Sequence, residues 1–248
     1  MSHGTYCWLL PDDDEVVSGA FARILESASS APELILVNAS VYDLGMTRLL
    51  RDSMITARAP VTIRGALSSS DLQPYVGLLT YIGSVVIARE VWKRAHPQSY
   101  FGSEFVHVGV IGSQLPLTGL HVITEPQIHI RYGQGYWEER FVKVWWNNWE
   151  NLIMQIFDNS YEQEIWHVFT GWRRVRDAAF AKALFFAKNS DIRVRLSGPP
   201  SGGLAKWIVK WGIILCPSIC INYFLSALFM LRKPRSLEIY DLKRRRDR

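Results

Sequence analysis

The chain has 248 residues, 48% of them hydrophobic and 21% charged, a composition that allows a substantial buried core and excludes an intrinsically disordered protein. The net charge of +5 resides in the tail, because after Leu231 eight Lys or Arg stand against three Asp or Glu. The remainder is close to neutral, so a basic nucleic-acid-binding face across the body of the protein is not expected. Three cysteines without a CxxC pair or a zinc-binding pattern indicate a reducing, cytoplasmic setting.

The first predicted elements are a short strand and a helix on either side of three consecutive aspartates. Residues 5–10 (TYCWLL) form an apolar, β-prone run that stops at Pro11. Residues 16–30 (VVSGAFARILESASS) carry apolar side chains at helical spacing, which predicts a helix. Its apolar face is expected to comprise Val17, Phe21, Ile24 and Leu25.

The next predicted strand is residues 32–43 (PELILVNASVYD), whose unbroken apolar run favours burial on both faces, as in a parallel sheet beneath helices. The polar, arginine-containing stretch that follows, residues 48–58, is predicted to be a loop or a short helix. Residues 78–92 (LLTYIGSVVIAREVW) are expected to form a strand that leads into a helix, with close backbone approach at Gly83.

Two further segments complete this pattern. Residues 103–115 (SEFVHVGVIGSQL) can form a helix. Residues 121–133 (HVITEPQIHIRYG) can form a strand pair or a bent strand broken at Pro126. The alternation of strand and helix signals through residue 135 predicts an α/β layered fold.

A tryptophan-rich region with helical periodicity follows over residues 137–196. Core packing between helices is the default interpretation of its aromatic stripe, and contact with a membrane interface is the alternative. Residues 197–203 (SGPPSGG) have the composition of a linker. The stripe consists of Trp137, Phe141, Trp145, Trp149 and Ile153, one residue in every four.

Residues 204–248 are predicted to be a membrane-associated segment with a basic tail. Residues 211–231 contain no charged side chain, and about 20 apolar residues suffice to span a bilayer. Pro217 and Asn222 favour a re-entrant hairpin as one alternative, and a buried core helix is another. The basic tail would lie on the cytoplasmic side.

The three aspartates have two interpretations. Adjacent carboxylates repel one another unless they are solvated, cap a helix or bind a cation. Asp13 or Asp14 could cap the following helix, whose positive end favours anions. Alternatively, Mg²⁺ or Mn²⁺ could bind the carboxylate oxygens and keep positions free for phosphate. Spacing alone does not separate the two.

Residues 6–26 (YCWLLPDDDEVVSGAFARILE) resemble the strand–DxD–helix passage of family 2 glycosyltransferases, which have the GT-A fold. Four later segments resemble, in order, the next core strand, the acceptor-side strand and helix, the region of the catalytic acidic residue, and the strand and loop that close the active site. The likeness extends over about residues 5–150 and is strongest to abequosyltransferase-like members that build bacterial surface polysaccharides such as O-antigen. The segments are PELILVNASVYD, LLTYIGSVVIAREVW, YFGSEFVHVGVIG and EPQIHIRYGQGYW.

The resemblance implies roles for particular residues. Asp12 and Asp14 occupy the DxD positions, which bind a Mg²⁺ or Mn²⁺ ion and, together with Asp13, the diphosphate of a nucleotide-sugar donor. Glu104 is the candidate base that deprotonates the acceptor hydroxyl, although the family often has an E-D pair where this chain has SEF. Inversion by a single displacement, which needs one base, is the expected stereochemistry. Arg131 could also offer its planar guanidinium to phosphate.

Several of these residues have a structural alternative. Glu104 could be a helix N-terminal carboxylate with Ser103 as the cap, and Arg131 a surface or structural arginine. His107, one helical turn after Glu104, could assist it, but we predict that His107 and His129 are packed core residues.

The resemblance also implies an architecture and a setting. Residues 1–136 are expected to form a partial GT-A (Rossmann-like) sheet with helices on both faces, because the nucleotide-binding half that precedes DxD in the family has no counterpart in this sequence. A separate chain is a candidate source of that half. The expected partners are a nucleotide-sugar donor and a saccharide acceptor, polyprenyl-linked, at the cytoplasmic face of the bacterial inner membrane. The alternative function is a non-catalytic membrane-associated remnant or assembly partner.

Overall fold

A computed structural model describes residues 3–57 and 59–133, together with positions 144, 148, 149, 151, 152, 155 and 156. The chain divides into two compact units, of which the first comprises Met1–Gly133 and Trp146–Arg173. The second comprises Gln134–Trp145 and Arg174–Arg248 and lies almost wholly outside the described residues. The predicted linker, uncharged segment and basic tail also lie outside them.

The described residues form a mixed α/β fold around one curled sheet of seven strands. The strands are β1 (Tyr6–Trp8), β2 (Glu15–Val16), β3 (Leu34–Tyr42), β4 (Leu49–Arg51), β5 (Val61–Ala66), β6 (Val85–Ala88) and β7 (Thr118–Arg131). The two longest strands, β3 and β7, contain apolar runs in their own sequence. The shorter strands β2, β4 and β5 each pair with one of these two.

The sheet has the order β1-β6-β3-β7-β2, with β4 paired to β3 and β5 paired to β7. Strands β3 and β7 are parallel to each other, and every other pairing in the described sheet is antiparallel. The apolar run of β3 is buried from Leu34 to Val41, as its sequence predicts. The expectation of a parallel sheet is therefore correct for the β3–β7 pair and wrong for the rest, because β6 returns antiparallel on the other side of β3.

Strand β7 runs without interruption from Thr118 to Arg131, so a strand forms where one was predicted, but the predicted break at Pro126 is wrong. Its register against β3 shifts between Val37 and Ala39. The side chain of Asn38 lies at this shift: Nδ2 donates to the Thr124 carbonyl over 2.6 Å, and Oδ1 accepts the Met54 N–H over 3.0 Å. The buried amide thus satisfies one backbone carbonyl and one backbone N–H beside the register shift.

The prediction of a loop or short helix over residues 48–58 is wrong for Leu49–Arg51, which form β4, and correct for residues 52–57, which are irregular. Strand β4 pairs with the end of β3, and β5 pairs with β7. In β5, half-buried Val61 and Ile63 alternate with exposed Thr62 and Arg64. Pairing with a neighbouring strand outweighs the local polarity, since an edge strand needs only one apolar face.

The predicted first helix exists but begins at Ala20, after Gly19, which has a φ of 85°. Ile24 enters the core, whereas Phe21 is 62% and Leu25 72% exposed, so the predicted apolar face is only partly correct. The helices are α1 (Ala20–Ala28), α2 (Ser69–Leu72), α3 (Val76–Leu79), α4 (Arg89–Arg94) and α5 (Val106–Ser113).

A helical segment that includes Trp149 packs against α5. The Trp149 ring meets Phe105 edge-on with ring centroids 4.8 Å apart, and Leu152 and Ile156 are buried. Core packing is therefore the correct interpretation for Trp149, while the other stripe positions lie outside the described residues. Within the part of the chain that the structure describes, no helix combines the length and apolarity needed to cross a membrane.

Candidate functional site

The three aspartates lie in the turn between β1 and β2, beside the end of β7. Strand β2 pairs antiparallel with β7, so that Glu15 faces His129 across the ladder. This pairing places the aspartate loop next to Arg131, which is the last residue of β7. Asp12 is exposed, and Asp13 and Asp14 are half-buried. The sheet therefore brings together four of the five predicted site residues.

Asp14 is held at both carboxylate oxygens. Oδ1 accepts the backbone N–H of Arg131 over 2.8 Å, and Oδ2 accepts the hydroxyl of Tyr81 over 2.5 Å. Burial raises the pKa of Asp14, and the two hydrogen bonds oppose this effect without cancelling it. The capping interpretation is wrong, because the residue that caps α1 is Gly19 and no side chain caps that helix.

Arg131 supplies a fixed cation beside the aspartates. Its Nε donates to the Asp13 carbonyl over 2.9 Å, and Nη1 donates to the Leu44 carbonyl over 3.2 Å. Nη2 lies 3.8 Å from Oε1 of Glu15, and the side chain is 31% exposed. The guanidinium is thus anchored by the backbone while its outer N–H groups keep the capacity to meet an anion.

Tyr81 is a site residue that the sequence did not indicate directly. Burial, followed by the charge of Asp14, raises the pKa of Tyr81 far above its ordinary value, so the hydroxyl is a neutral donor. The signal in the sequence was the predicted close approach at Gly83. The approach at Gly83 is close, but it comes from a side chain and not from backbone, since a Cβ at Gly83 would lie 2.6 Å from Cζ of Tyr81. The sequence pattern around Gly83 did not indicate that the neighbouring group is the Tyr81 ring.

Glu104 occupies a turn before α5 with a positive φ of 62°. Its Oε2 accepts a hydrogen bond from Nδ2 of Asn148, which also donates to the Gly102 carbonyl over 3.2 Å. Phe105 is the N-cap of α5, whose first turn contains no acidic residue, so the helix N-terminal interpretation of Glu104 is wrong. No contact among the described residues joins Glu104 to the aspartate loop.

The two histidines differ in their surroundings. His107 is 1% exposed within the core, which confirms its prediction as a packed residue. Burial lowers the pKa of His107 to about 4, and an interaction with the Leu79 backbone opposes the effect. His129 is half-buried, with its ring 4.8 Å from that of Tyr42.

The carboxylates fit one kind of metal site. Among the described residues, no group of three His, Cys, Asp or Glu side chains is placed to hold a metal ion by itself. Mg²⁺ commonly binds one or two carboxylates together with water and substrate phosphates. Asp14 could supply one such carboxylate, since each of its oxygens keeps a second lone pair after accepting its hydrogen bond. Asp14 is therefore available as a ligand if a cation is shared with a phosphate.

Comparison with known proteins does not assign a family to the chain. No family model matches it, and no curated protein matches it. The likeness to family 2 glycosyltransferases therefore stays a prediction from the motifs quoted above, and the residues of the site are the ground for proposing a function.

Proposed function

We propose that this protein is a metal-dependent glycosyltransferase. It would transfer a sugar from a nucleotide-sugar donor to a saccharide acceptor, polyprenyl-linked, in bacterial surface polysaccharide synthesis. The observation that carries the proposal is the contact between Asp14 and Arg131, which are 117 residues apart in the sequence. That contact places three carboxylates and a guanidinium at one edge of the sheet, a combination suited to a cation and a diphosphate.

Each group at this edge has a role in binding the donor. Asp12 and Asp14 would hold Mg²⁺ or Mn²⁺, which when bound neutralises negative charge on the departing nucleoside diphosphate. Arg131, anchored through the carbonyls of Asp13 and Leu44, would direct its free N–H groups to the phosphates. A guanidinium fixed in advance loses little side-chain entropy when the anion binds.

Glu104 would act as the base. Its carboxylate takes the proton of the acceptor hydroxyl as that oxygen bonds to the anomeric carbon, and the nucleoside diphosphate leaves with the electrons of the broken C–O bond. This single displacement inverts the configuration. The contact with Asn148 would orient the carboxylate. A glutamate kept at positive φ supports a functional reason for its presence, since that conformation disfavours a residue with a side chain.

The remaining parts of the proposal concern partners. Strand β1 is an end of the described sheet, and a separate chain that supplies a nucleotide-binding half would add its strands there. Membrane association at the cytoplasmic face of the inner membrane would come from residues 204–248, which are outside the described residues.

The test is binding and turnover by the full-length protein. We expect Mn²⁺-dependent binding of nucleoside diphosphates, measured by calorimetry, and release of nucleoside diphosphate from at least one nucleotide-sugar. Asp14→Asn should abolish both, because asparagine keeps the size of the side chain but not its charge. Asp52→Asn, at an exposed aspartate outside the site, is the matched control and should behave as wild type. Absence of Mn²⁺-dependent nucleotide binding in the wild-type protein would refute the proposal.

A specific observation favours the alternative, a non-catalytic assembly partner. Both oxygens of Asp14 already accept hydrogen bonds from the protein, and Arg131 is tied to two carbonyls, an arrangement that also serves to fasten the loop to the sheet. Under this alternative, the wild-type protein would bind no Mn²⁺.

A further inference from the structure

We propose that Tyr81 is the positioning residue of this site, and that Trp8 and Gly83 form a brace which holds its hydroxyl against Asp14. The inference rests on the proposed function, because it concerns the same carboxylate. It adds a residue that neither the aspartate motif nor the resemblance assigns.

The first step concerns the two hydrogen bonds that the Asp14 carboxylate accepts. Its two donors come from different parts of the fold: the Arg131 N–H belongs to β7, and the Tyr81 hydroxyl precedes β6. A carboxylate that accepts hydrogen bonds at both oxygens from rigid elements cannot rotate about its terminal bond without losing one of them. The lone pairs that remain are therefore aimed in fixed directions.

The second step is the reason why Tyr81 can reach Asp14. Its ring lies against the backbone of Gly83, where an added Cβ would be 2.6 Å from Cζ and 2.8 Å from Cε1 of the ring. Any other residue at position 83 would displace the ring, and the hydroxyl with it. The absence of a side chain at Gly83 is thus a condition for the hydrogen bond to Asp14.

The third step concerns the hydrogen bond by which Trp8 holds the backbone of Gly83 in place. The indole Nε1 of Trp8 donates to the Gly83 carbonyl over 2.8 Å, and the Trp8 ring meets Phe21 edge-on with centroids 5.3 Å apart. Trp8 belongs to β1, the strand that runs directly into the aspartate loop. The same strand therefore presents the aspartates and fixes, through Gly83, the tyrosine that orients one of them.

Tyr81→Phe is the direct test, since it removes the hydroxyl and keeps the ring. With Mn²⁺ alone as the probe and full-length protein, we expect a loss of Mn²⁺ affinity of about ten-fold or more, the range typical of hydrogen-bond partners behind a metal ligand. Gly83→Ala should have the same effect by displacing the ring. Tyr75→Phe is the matched control: Tyr75 is also buried, its hydroxyl makes no hydrogen bond among the described residues, and wild-type affinity is expected.

A spectroscopic measurement separates positioning from a general loss of structure. Tb³⁺ is a hard, oxygen-seeking cation whose luminescence is excited through a nearby aromatic ring. At saturating Tb³⁺ the sensitised emission should fall in Tyr81→Phe and be unchanged in Tyr75→Phe. Unchanged emission in Tyr81→Phe would place the cation elsewhere and overturn the inference.

The Mn²⁺ affinities distinguish failure of this inference from failure of the proposed function. If the wild-type protein binds Mn²⁺ and Tyr81→Phe binds it equally well or more tightly, Tyr81 does not position Asp14, and the glycosyltransferase proposal is unaffected. Tighter binding would mean that the hydroxyl competes with the cation. If the wild-type protein binds no Mn²⁺, both the proposed function and this inference fail.

Discussion

His107 makes the folded protein sensitive to acid. It lies on α5, 1% exposed, and neither ring nitrogen makes a hydrogen bond among the described residues. Burial disfavours a charged imidazolium more than the Leu79 backbone favours it, and so lowers the pKa of His107 from 6.5 to about 4. The perturbation that isolates this effect is His107→Leu, which fills a similar volume and removes the titrating group.

The size and sign of the effect follow from linkage between protonation and folding. Because the folded pKa of His107 lies below the unfolded value, the unfolded chain takes up the proton first as the pH falls. Stability is therefore complete above pH 6.5 and is lost progressively down to about pH 4. A lowering of the pKa from 6.5 to about 4 corresponds to roughly 3 kcal/mol of unfolding free energy at acid pH.

Urea denaturation at a series of pH values from neutral to acid measures this contribution. The informative quantity is the difference in unfolding free energy between wild type and His107→Leu, since the other titrating groups contribute equally to both proteins. We expect the difference to grow by roughly 3 kcal/mol in favour of the variant as the pH falls. His3→Leu controls for loss of a histidine as such, because His3 is exposed. A difference that does not change with pH would refute the assignment of His107 as a neutral core residue.

Two further predictions concern backbone positions. Gly109→Ala should reduce the unfolding free energy by about 1–3 kcal/mol in urea denaturation, because the new Cβ would lie 2.6 Å from Cδ1 of the buried Tyr100 ring. Gly77→Ala, in α3 with no atom within 4 Å of the added Cβ, should be neutral or slightly stabilising, and equal losses in the two variants would contradict the packing argument. Glu104→Gly should retain wild-type stability or gain up to about 1 kcal/mol, since glycine adopts the φ of 62° without strain, while sugar transfer is lost. A clear loss of stability in that variant would mean that the contact with Asn148 outweighs the strain.

The parts of the fold that were predictable from the sequence are those in which local pattern and tertiary environment agree. Strand β3 is apolar along most of its length and is buried, and the proline in β7 lies within the register shift against β3. Strand β4 was missed because the polar stretch that contains it resembles a loop, and no prediction was made for the residues of β5. Their conformation comes from pairing with β3 and β7, and a residue pattern within one segment does not encode a partner elsewhere in the chain.

The residues of the candidate site also differ in how far the sequence predicts them. The aspartates stand out because three adjacent carboxylates are unusual, and Arg131 was identified by its residue type. Tyr81 was not identified, although the glycine that admits its ring was. The contact between Tyr81 and Asp14 joins residues 67 apart, and that between Asp14 and Arg131 joins residues 117 apart. Such contacts depend on strand order, which local periodicity does not determine.

The hydrogen bonds of Asp14 determine how its two proposed roles can be separated. A carboxylate that only fastens the loop needs two acceptor atoms, whereas a ligand for Mg²⁺ or Mn²⁺ also needs a negative charge. Asparagine preserves much of the first property, because Oδ1 can accept the Arg131 N–H and Nδ2 can donate to the Tyr81 oxygen after the hydroxyl turns. It removes the second property entirely. The same substitution therefore removes charge while keeping most of the loop's attachment, and Asp14 acts as a ligand only if cation binding is lost from a protein that still folds.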